Sequence, residues 1–459
     1  MPQPKILLLI FSIFVYNNSR AQTWVNVGSP GFSADTATWT SIAIDGSGTP
    51  YVVYQDSIYG HAKVMKYNGT SWVNVGSPRF SASEADYTSI AIDNSGTPYV
   101  VYEDGGNWYK AMVMKYNGSS WVTVGSPGLS AGVAQYTSIA INSSGIPYVV
   151  YMDQSTGTNQ ATVMKYNDTN WVTVGSAEFS AAEVEYTSIA IDGNDTPYVV
   201  YQDEANGEKA TVMKFNGSDW VPVGSPGFSA VAVEEPSIAI DGSGTPYVVY
   251  VEAFGPVTVM KYNGSSWVTV GAAGFSAGVA PMTISTSIAI DNSGTPYVVF
   301  SDNTNTITPG PATVMKLNGS TWVIEGSAGF SVGSVNWTTM AINSSRTPYV
   351  VYEDFGNSGK ATLMKLNTAI HNGVKNTTHP PTSLTISPNP NQGSFTLLLS
   401  TPTNELAPIT ITNMLGEKIK EYNVPTNQET TVQLDAPPGM YFLTAISGEG
   451  VESTKVVVR

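Results

Sequence analysis

The chain has 459 residues, and its 12% charged content is about half the usual quarter. With 20 basic and 35 acidic residues the net charge is −15, which excludes a global electrostatic grip on nucleic acid or anionic lipid. No cysteine and three histidines remove disulfides, thiol nucleophiles and Cys metal sites and leave little for histidine catalysis, while 42% hydrophobic content excludes wholesale disorder.

The N-terminus reads as an address. Lys5 precedes an apolar run from Ile6 to Val15, and the small residues Ser19 and Ala21 suit the positions before a signal-peptidase cut. The run is shorter than the ~20 residues that a spanning helix needs, so residues 1–21 are expected to be a signal peptide. No later segment is apolar enough to predict a transmembrane span.

One unit then recurs seven times. Trp-Val appears at Trp24, Trp72, Trp121, Trp171, Trp220, Trp267 and Trp322, at steps of 47 to 55 residues. Pro-Tyr-Val-Val and Val/Leu-Met-Lys recur seven times each in the same rhythm. Each unit reads as four short strands, exemplified by Ser41–Asp45, Tyr51–Tyr54, Lys63–Tyr67 and Trp72–Val75. Asp-Gly-Ser-Gly-Thr-Pro follows the first strand, and Asn68-Gly69 after the third predicts a two-residue hairpin. Four strands in a unit of this length, repeated seven times, predict a seven-bladed β-propeller over residues 22–367. Small first-strand residues such as Ser41 and Ala43, against Met, Tyr and Trp further out, suit a radial wedge. The Trp strand at the start precedes any complete unit, and the last unit lacks one. The spacing therefore predicts that residues 23–28 pair with 361–366 and close the ring, removing two sheet edges. The strand order resembles that of NHL-type propellers at the level of pattern, which implies no particular function.

In such a blade the first-to-second and third-to-fourth turns share one face. The second-to-third loops and the crossovers between units share the other. The first set hardly varies, whereas loops such as 57–61, 105–109 and 303–311 differ in almost every copy. Loops on a rigid scaffold often carry recognition; relaxed drift is the plainer alternative. The crossovers end in Trp39, Tyr87, Tyr136, Tyr186 and Trp337 and carry the acids Asp35, Glu84, Asp86, Glu183, Glu185, Glu234 and Glu235, and the second strands end in Asp56, Asp104, Asp153, Asp203, Asp302 and Asp354. An aromatic and carboxylate ring of this kind suits a glycan, a cation or a basic protein surface. In the alternative reading the aromatics fill the space between blades and the aspartates cap turns. The aspartates at Asp45, Asp93, Asp192, Asp241 and Asp291, replaced by Asn142 and Asn343 in two copies, read as turn residues, and no calcium loop is spelled out. The seven Met-Lys lysines read as strand residues reaching the rim. No metal or cofactor is expected. The repeats carry only Arg79 and Arg346 and the single histidine His61, which supports neither a sialidase arginine cluster nor a Ser-His-Asp triad. Paired acids for glycoside hydrolysis remain open, with no pair singled out.

After Asn367 the rhythm stops, and residues 368–381, rich in Thr, Asn and Pro, read as a linker. Six strands follow, at Ser383–Ile386, Ser394–Leu399, Ile409–Asn413, Thr430–Leu434, Tyr441–Ile446 and Thr454–Val458, predicting a small Ig-like β-sandwich at 382–459. Pro388-Asn389-Pro390 with Gly393, then Gly416, Gly439 with Tyr441, and finally Lys455 stand in an order that resembles the type A C-terminal sorting domain of the Bacteroidetes type IX secretion system. That resemblance implies the type IX machinery as a partner, passage through the periplasm to the cell surface or medium, and removal of the domain. The sequence as a whole predicts an exported, all-β protein acting as a non-catalytic recognition or adhesion module for glycan or protein. A structural surface or matrix protein without specific ligand is one alternative. A polysaccharide-active enzyme using crossover acids is another.

Overall fold

The computed structural model describes residues 22–253, 255–276, 285–302, 310–367, 383–401, 403–413, 417–447 and 450–459. The predicted signal peptide, the predicted linker and Gly416 lie outside the described residues. The chain divides into two compact units, 1–370 and 371–459.

In the first unit the described residues form seven four-stranded antiparallel sheets, a propeller-like arrangement. A representative sheet runs from an inner strand Ala37–Ile44, through Pro50–Asp56 and His61–Tyr67, to an outer strand Trp72–Asn74. The Tyr-Val-Val-Tyr strand is buried along its whole length because it has a neighbouring strand on each side and packed sheets on both faces. One sheet is assembled from both ends of the unit: Thr23–Asn26 pairs with Lys360–Asn367, with Trp24 opposite Leu366 and Asn26 opposite Met364.

Two chains of hydrogen bonds link successive sheets. At the outer strands every repeat Trp is a donor to a carbonyl of the sheet before it: the Nε1 of Trp121 lies 2.7 Å from the Val75 oxygen, and that of Trp72 2.7 Å from Val27. Trp24 joins the two-ended sheet to its predecessor in the same way, donating to Glu325 O at 2.7 Å. Six of the seven indoles stack on a phenylalanine, as Trp121 does on Phe80 with centroids 4.3 Å apart. Trp171 packs in a cluster with Leu129 instead. Each Trp sits over a glycine of the preceding sheet: a Cβ on Gly326, which has φ +80°, would fall 2.8 Å from Trp24 Cδ1. The glycine after each Trp strand, preceded by Val in six copies and by Glu325 in the seventh, thus leaves space for the next indole.

The turns follow the sequence closely. Asp45 Oδ1 accepts from the amides of Ser47 and Thr49, each at 2.9 Å, and Asn142 does the same for Ser144 and Ile146 at 3.1 and 2.8 Å. An acceptor oxygen is all that the turn requires, so Asn and Asp interchange there. The turn at Asn68-Gly69 differs from the expectation, whereas at Asn318 the strands pair up to Thr321 and leave a two-residue loop. Tyr67 pairs with Trp72, so the loop has four residues, 68–71, not two. Asn68 closes it by accepting from the Thr70 and Ser71 amides at 3.0 and 2.9 Å, and of the pair only Gly69 takes a positive φ, +97°. Four strand lysines lean along aromatic faces, as Lys66 Nζ does 5.5 Å from the Tyr51 centroid, and Lys316 pairs with Glu325 at 2.7 Å.

The second unit has two antiparallel sheets. Ser383–Ser387, Ser394–Ser400 and Thr430–Gln433 form one; Lys418–Pro425, Leu406–Thr412, Gly439–Ser447 and Gly450–Val458 form the other. Their core contains Phe395, Leu397, Ile409, Ile411, Leu443 and Val456. Lys418–Pro425 is absent from the predicted strands. It is an edge strand, mostly exposed and carrying Lys and Glu, so it lacks a strong apolar alternation. Asn389, between Pro388 and Pro390, ties the first turn to the last strand by donating to Lys455 O at 2.6 Å and accepting from the Val457 amide at 2.8 Å. Gly393 (φ +88°) lies against the Leu434 carbonyl, and the Tyr441 hydroxyl donates to Pro437 O at 2.8 Å, one turn before Gly439. Asn389, Gly393 and Tyr441 thus each make a contact between segments of the sandwich.

Candidate functional site: an aromatic cavity at the inner strands

The inner strands determine the geometry of the site. In six sheets the register slips near the start of the strand; between Thr38 and Ser41, Trp39 and Thr40 have no partner on the second strand. At each slip the first bulged residue takes a left-handed conformation, with φ of +53° at Trp39, +51° at Tyr87, +52° at Tyr136, +52° at Tyr186, +48° at Glu235 and +50° at Trp337. A non-glycine residue rarely adopts this conformation, and a bulge re-aims its side chain. These six residues, together with Ser285 in the seventh sheet, line a cavity of about 440 Å³. The second bulged residue turns its hydroxyl outward to the previous sheet: Thr137 donates to Tyr87 O at 2.7 Å, Thr187 to Tyr136 O at 2.6 Å and Thr338 to Ser285 O at 2.9 Å. Thr40 reaches Trp337 O in the same way. Pro236 stands at the equivalent position after Glu235 and has no hydroxyl to offer. Thr137→Val should therefore lower the unfolding free energy by about 1 kcal/mol, the net worth of one hydrogen bond, measurable by urea denaturation.

The five predicted aromatics come together as one arc. Ring centroids are 3.8 Å apart for Trp337 and Trp39, 4.3 Å for Trp39 and Tyr87, 5.0 Å for Tyr87 and Tyr136, and 4.9 Å for Tyr136 and Tyr186, all tilted by 40–55°. Glu235, Pro236 and Ser285 interrupt the arc and leave a polar sector. Sequence reasoning listed Glu235 only among the crossover acids and missed Ser285. Alignment on the following Ser-Ile-Ala-Ile core, two residues after the bulge, would have found both.

The six predicted aspartates do not belong to this site, which corrects the expected aromatic and carboxylate ring. None lines the cavity. Asp56, Asp104, Asp153, Asp203 and Asp354 are buried, and Asp302 is partly so. They serve the second-to-third loops: Asp104 accepts from the Gly106 amide at 3.1 Å, Asp153 from Ser155 at 3.0 Å and Asp203 from Ala205 at 3.1 Å. Asp302 and Asp354 accept from the hydroxyls of Thr313 and Thr362 at 3.3 and 2.7 Å. Asp56 pairs with Lys63 at 2.5 Å; burial opposes its ionisation, but the hydrogen bond and charge of Lys63 prevail and hold its carboxyl below the usual range. Each of the six thus has at least one partner within its own sheet or loop.

Glu235 in the cavity wall, and Glu103 and Glu353 on second strands, are carboxyls of another kind. Burial, and then the neighbouring Glu234, pushes Glu235 up to about 8. Burial, with Asp86 and Glu84 adding to it, pushes Glu103 to about 8, and burial against a hydrogen bond from Asn336 leaves Glu353 at about 7. A carboxyl raised on folding stabilises the fold fully below its unfolded value, and that contribution is lost as pH rises through the folded value. The repeat unit should therefore melt at a higher temperature at pH 5 than at pH 8.5. Replacing Glu103, Glu235 and Glu353 together by Gln should flatten that dependence in a thermal melt across this range.

Residues 385–459 match the family model of the secretion system C-terminal sorting domain. The tail is thus a type IX sorting domain, and it indicates export to the cell surface or extracellular space. No helix of the described residues is long and apolar enough to cross a membrane. No curated protein matches the chain in sequence. Among solved structures, a lectin from Burkholderia pseudomallei is 13% identical, covers 73% of this chain and 97% of its own, and superposes with a TM-score of 0.51. An Aleuria aurantia lectin mutant in complex with Fucα1-6GlcNAc is 16% identical, covers 65% and 97%, and scores 0.45. A polysaccharide lyase, an ulvan lyase, is 13% identical, covers 74% and 94%, and scores 0.48. At these identities the likeness concerns the fold alone.

Proposed function

We propose that the repeat unit is a seven-bladed propeller closed by the Trp24 strand. On this reading it acts, after export, as a non-catalytic module that binds a glycan in its central cavity. Closure is supported by the pairing of Trp24 with Leu366 and by the continuation of both hydrogen-bond chains between first and last sheets, Trp72 to Val27 O and Thr40 to Trp337 O. The single observation that carries the binding reading is the arc of five touching aromatic rings around a cavity of about 440 Å³ with a polar sector at Glu235 and Ser285. Pockets of roughly 300–1,000 Å³ that join apolar walls to a few polar groups accommodate small ligands. Aromatic faces stack on the apolar faces of sugar rings, and the carboxyl and hydroxyls serve sugar hydroxyls. The left-handed backbone at the bulges adds to this, since strain held at six equivalent positions turns side chains inward rather than into the sheets.

The test is a glycan panel presented to the full chain, with calorimetry on the hits and product analysis alongside. Saturable binding without turnover is the expected result. Absence of binding to every glycan would overturn the recognition reading, and depolymerisation of a bound polysaccharide would overturn its non-catalytic part.

A further inference from the structure

Beside the main cavity, on the flank of the sheet containing Tyr87, lies a second cavity of about 360 Å³. Trp39 and Tyr87 form its wall toward the main cavity, Tyr109 forms another, and Asp86 and Glu103 face it as cross-strand neighbours. Tyr109 comes from the loop 105–109, whose Trp108 stands 82% exposed; both take left-handed backbone, with φ of +58° at Trp108 and +57° at Tyr109.

The two acids differ in how they are held. Asp86 accepts hydrogen bonds from Gln55 Nε2 and from the Trp39 side chain. Glu103 is 97% buried by residue, 3% of its surface remaining, and its carboxyl has no hydrogen-bond partner among the described residues. The charges that act on it, Asp86 and Glu84, are both negative. A carboxyl that faces a cavity with neither a hydrogen-bond partner nor a counter-charge is satisfied best by a group that brings positive charge together with donors. An ammonium does both, having three N–H donors, and the faces of Trp39, Tyr87 and Tyr109 around it favour a cation.

We propose that this side cavity is a subsite for the free amino group of an amino sugar, with Glu103 as the carboxyl that gives up its proton and pairs with the ammonium on binding, and Tyr109 and Trp39 as its walls. The inference rests on the glycan reading and sharpens it. The sugar chain occupies the main cavity, and an unacetylated amine reaches across Trp39 to Glu103. An N-acetyl group lacks the charge and gains nothing there. Uronic acids and sulfated sugars are disfavoured by the same carboxyls.

The experiment is calorimetry of the full chain with a glucosamine oligosaccharide, its fully N-acetylated counterpart of equal length and a neutral glucan. A hydrogen-bonded charge pair is expected to make the free-amine ligand bind at least about tenfold tighter than the acetylated one. Glu103→Gln keeps the shape and removes the charge. It should abolish that preference while leaving the acetylated ligand within about twofold of its original affinity. A thermal melt of the variant verifies the fold, which loses only an unpartnered buried carboxyl. Equal binding of the two sugars by the unaltered protein overturns the proposal, as does a preference that survives Glu103→Gln. Binding of the neutral glucan alone overturns it and leaves the glycan reading standing, whereas failure of all three here and of every glycan on the panel removes both.

Discussion

Trp24→Ala is expected to lower the stability of the repeat unit by about 3–5 kcal/mol, the range for truncating a large buried aromatic. The residue is 8% exposed, stacks on Phe330 at 4.3 Å and donates to Glu325 O at 2.7 Å. Each of the other repeat tryptophans makes an equivalent indole hydrogen bond, so a loss at Trp121 should cost a similar local amount. Trp24 differs in its place in the chain. Its strand has only four residues and reaches its sheet from the far end of the sequence, with Trp24 and Leu366 paired. Loosening it exposes the edge strand Lys360–Asn367, which would then be open to pairing with another molecule. The variant should therefore also associate in a concentration-dependent way that Trp121→Ala does not show. Denaturant titration and light scattering of the two variants side by side measure both effects. Equal behaviour in scattering would count against ring closure by this strand.

Trp39→Ala is expected to weaken glycan binding at least about 30-fold, the equivalent of roughly 2 kcal/mol for an aromatic anchor at the centre of an interface. Trp39 is the hinge of the arc, touching Trp337 at 3.8 Å and Tyr87 at 4.3 Å, and it also orients Asp86. Its backbone should survive the change. The Thr88 hydroxyl bonds the Trp39 carbonyl, not its side chain, and alanine faces no worse a penalty at φ +53° than tryptophan does. A binding loss with an unchanged melting temperature would separate recognition from folding. Trp39→Phe, which retains a ring face, should restore part of the affinity. Unaltered binding by Trp39→Ala would place any ligand away from this cavity.

Much of the architecture was legible because each local feature repeats and agrees with its neighbours. The strands, the Asp45-type turns and the partner of Trp24 follow from period, alternation and the count of Trp strands. The edge strand Lys418–Pro425 and the four-residue Asn68 loop were not legible. In the first the apolar pattern is weak, and in the second a side-chain acceptor replaces the tight backbone turn that Asn-Gly suggests.

The candidate site divides along the same line. Its aromatics stood in the sequence beside each inner strand, but nothing local told an inward ring from one packed between sheets. The aspartates beside them looked equally available. Sequence alone determined which residues recur and in what order, because strand propensity and turn chemistry act over a few neighbours. Tertiary structure decided which side of the bulge each side chain takes. A register slip of the inner strand sends Trp39 and its counterparts to the cavity while the aspartates turn into their own loops, and that slip arises only when the second strand is in place.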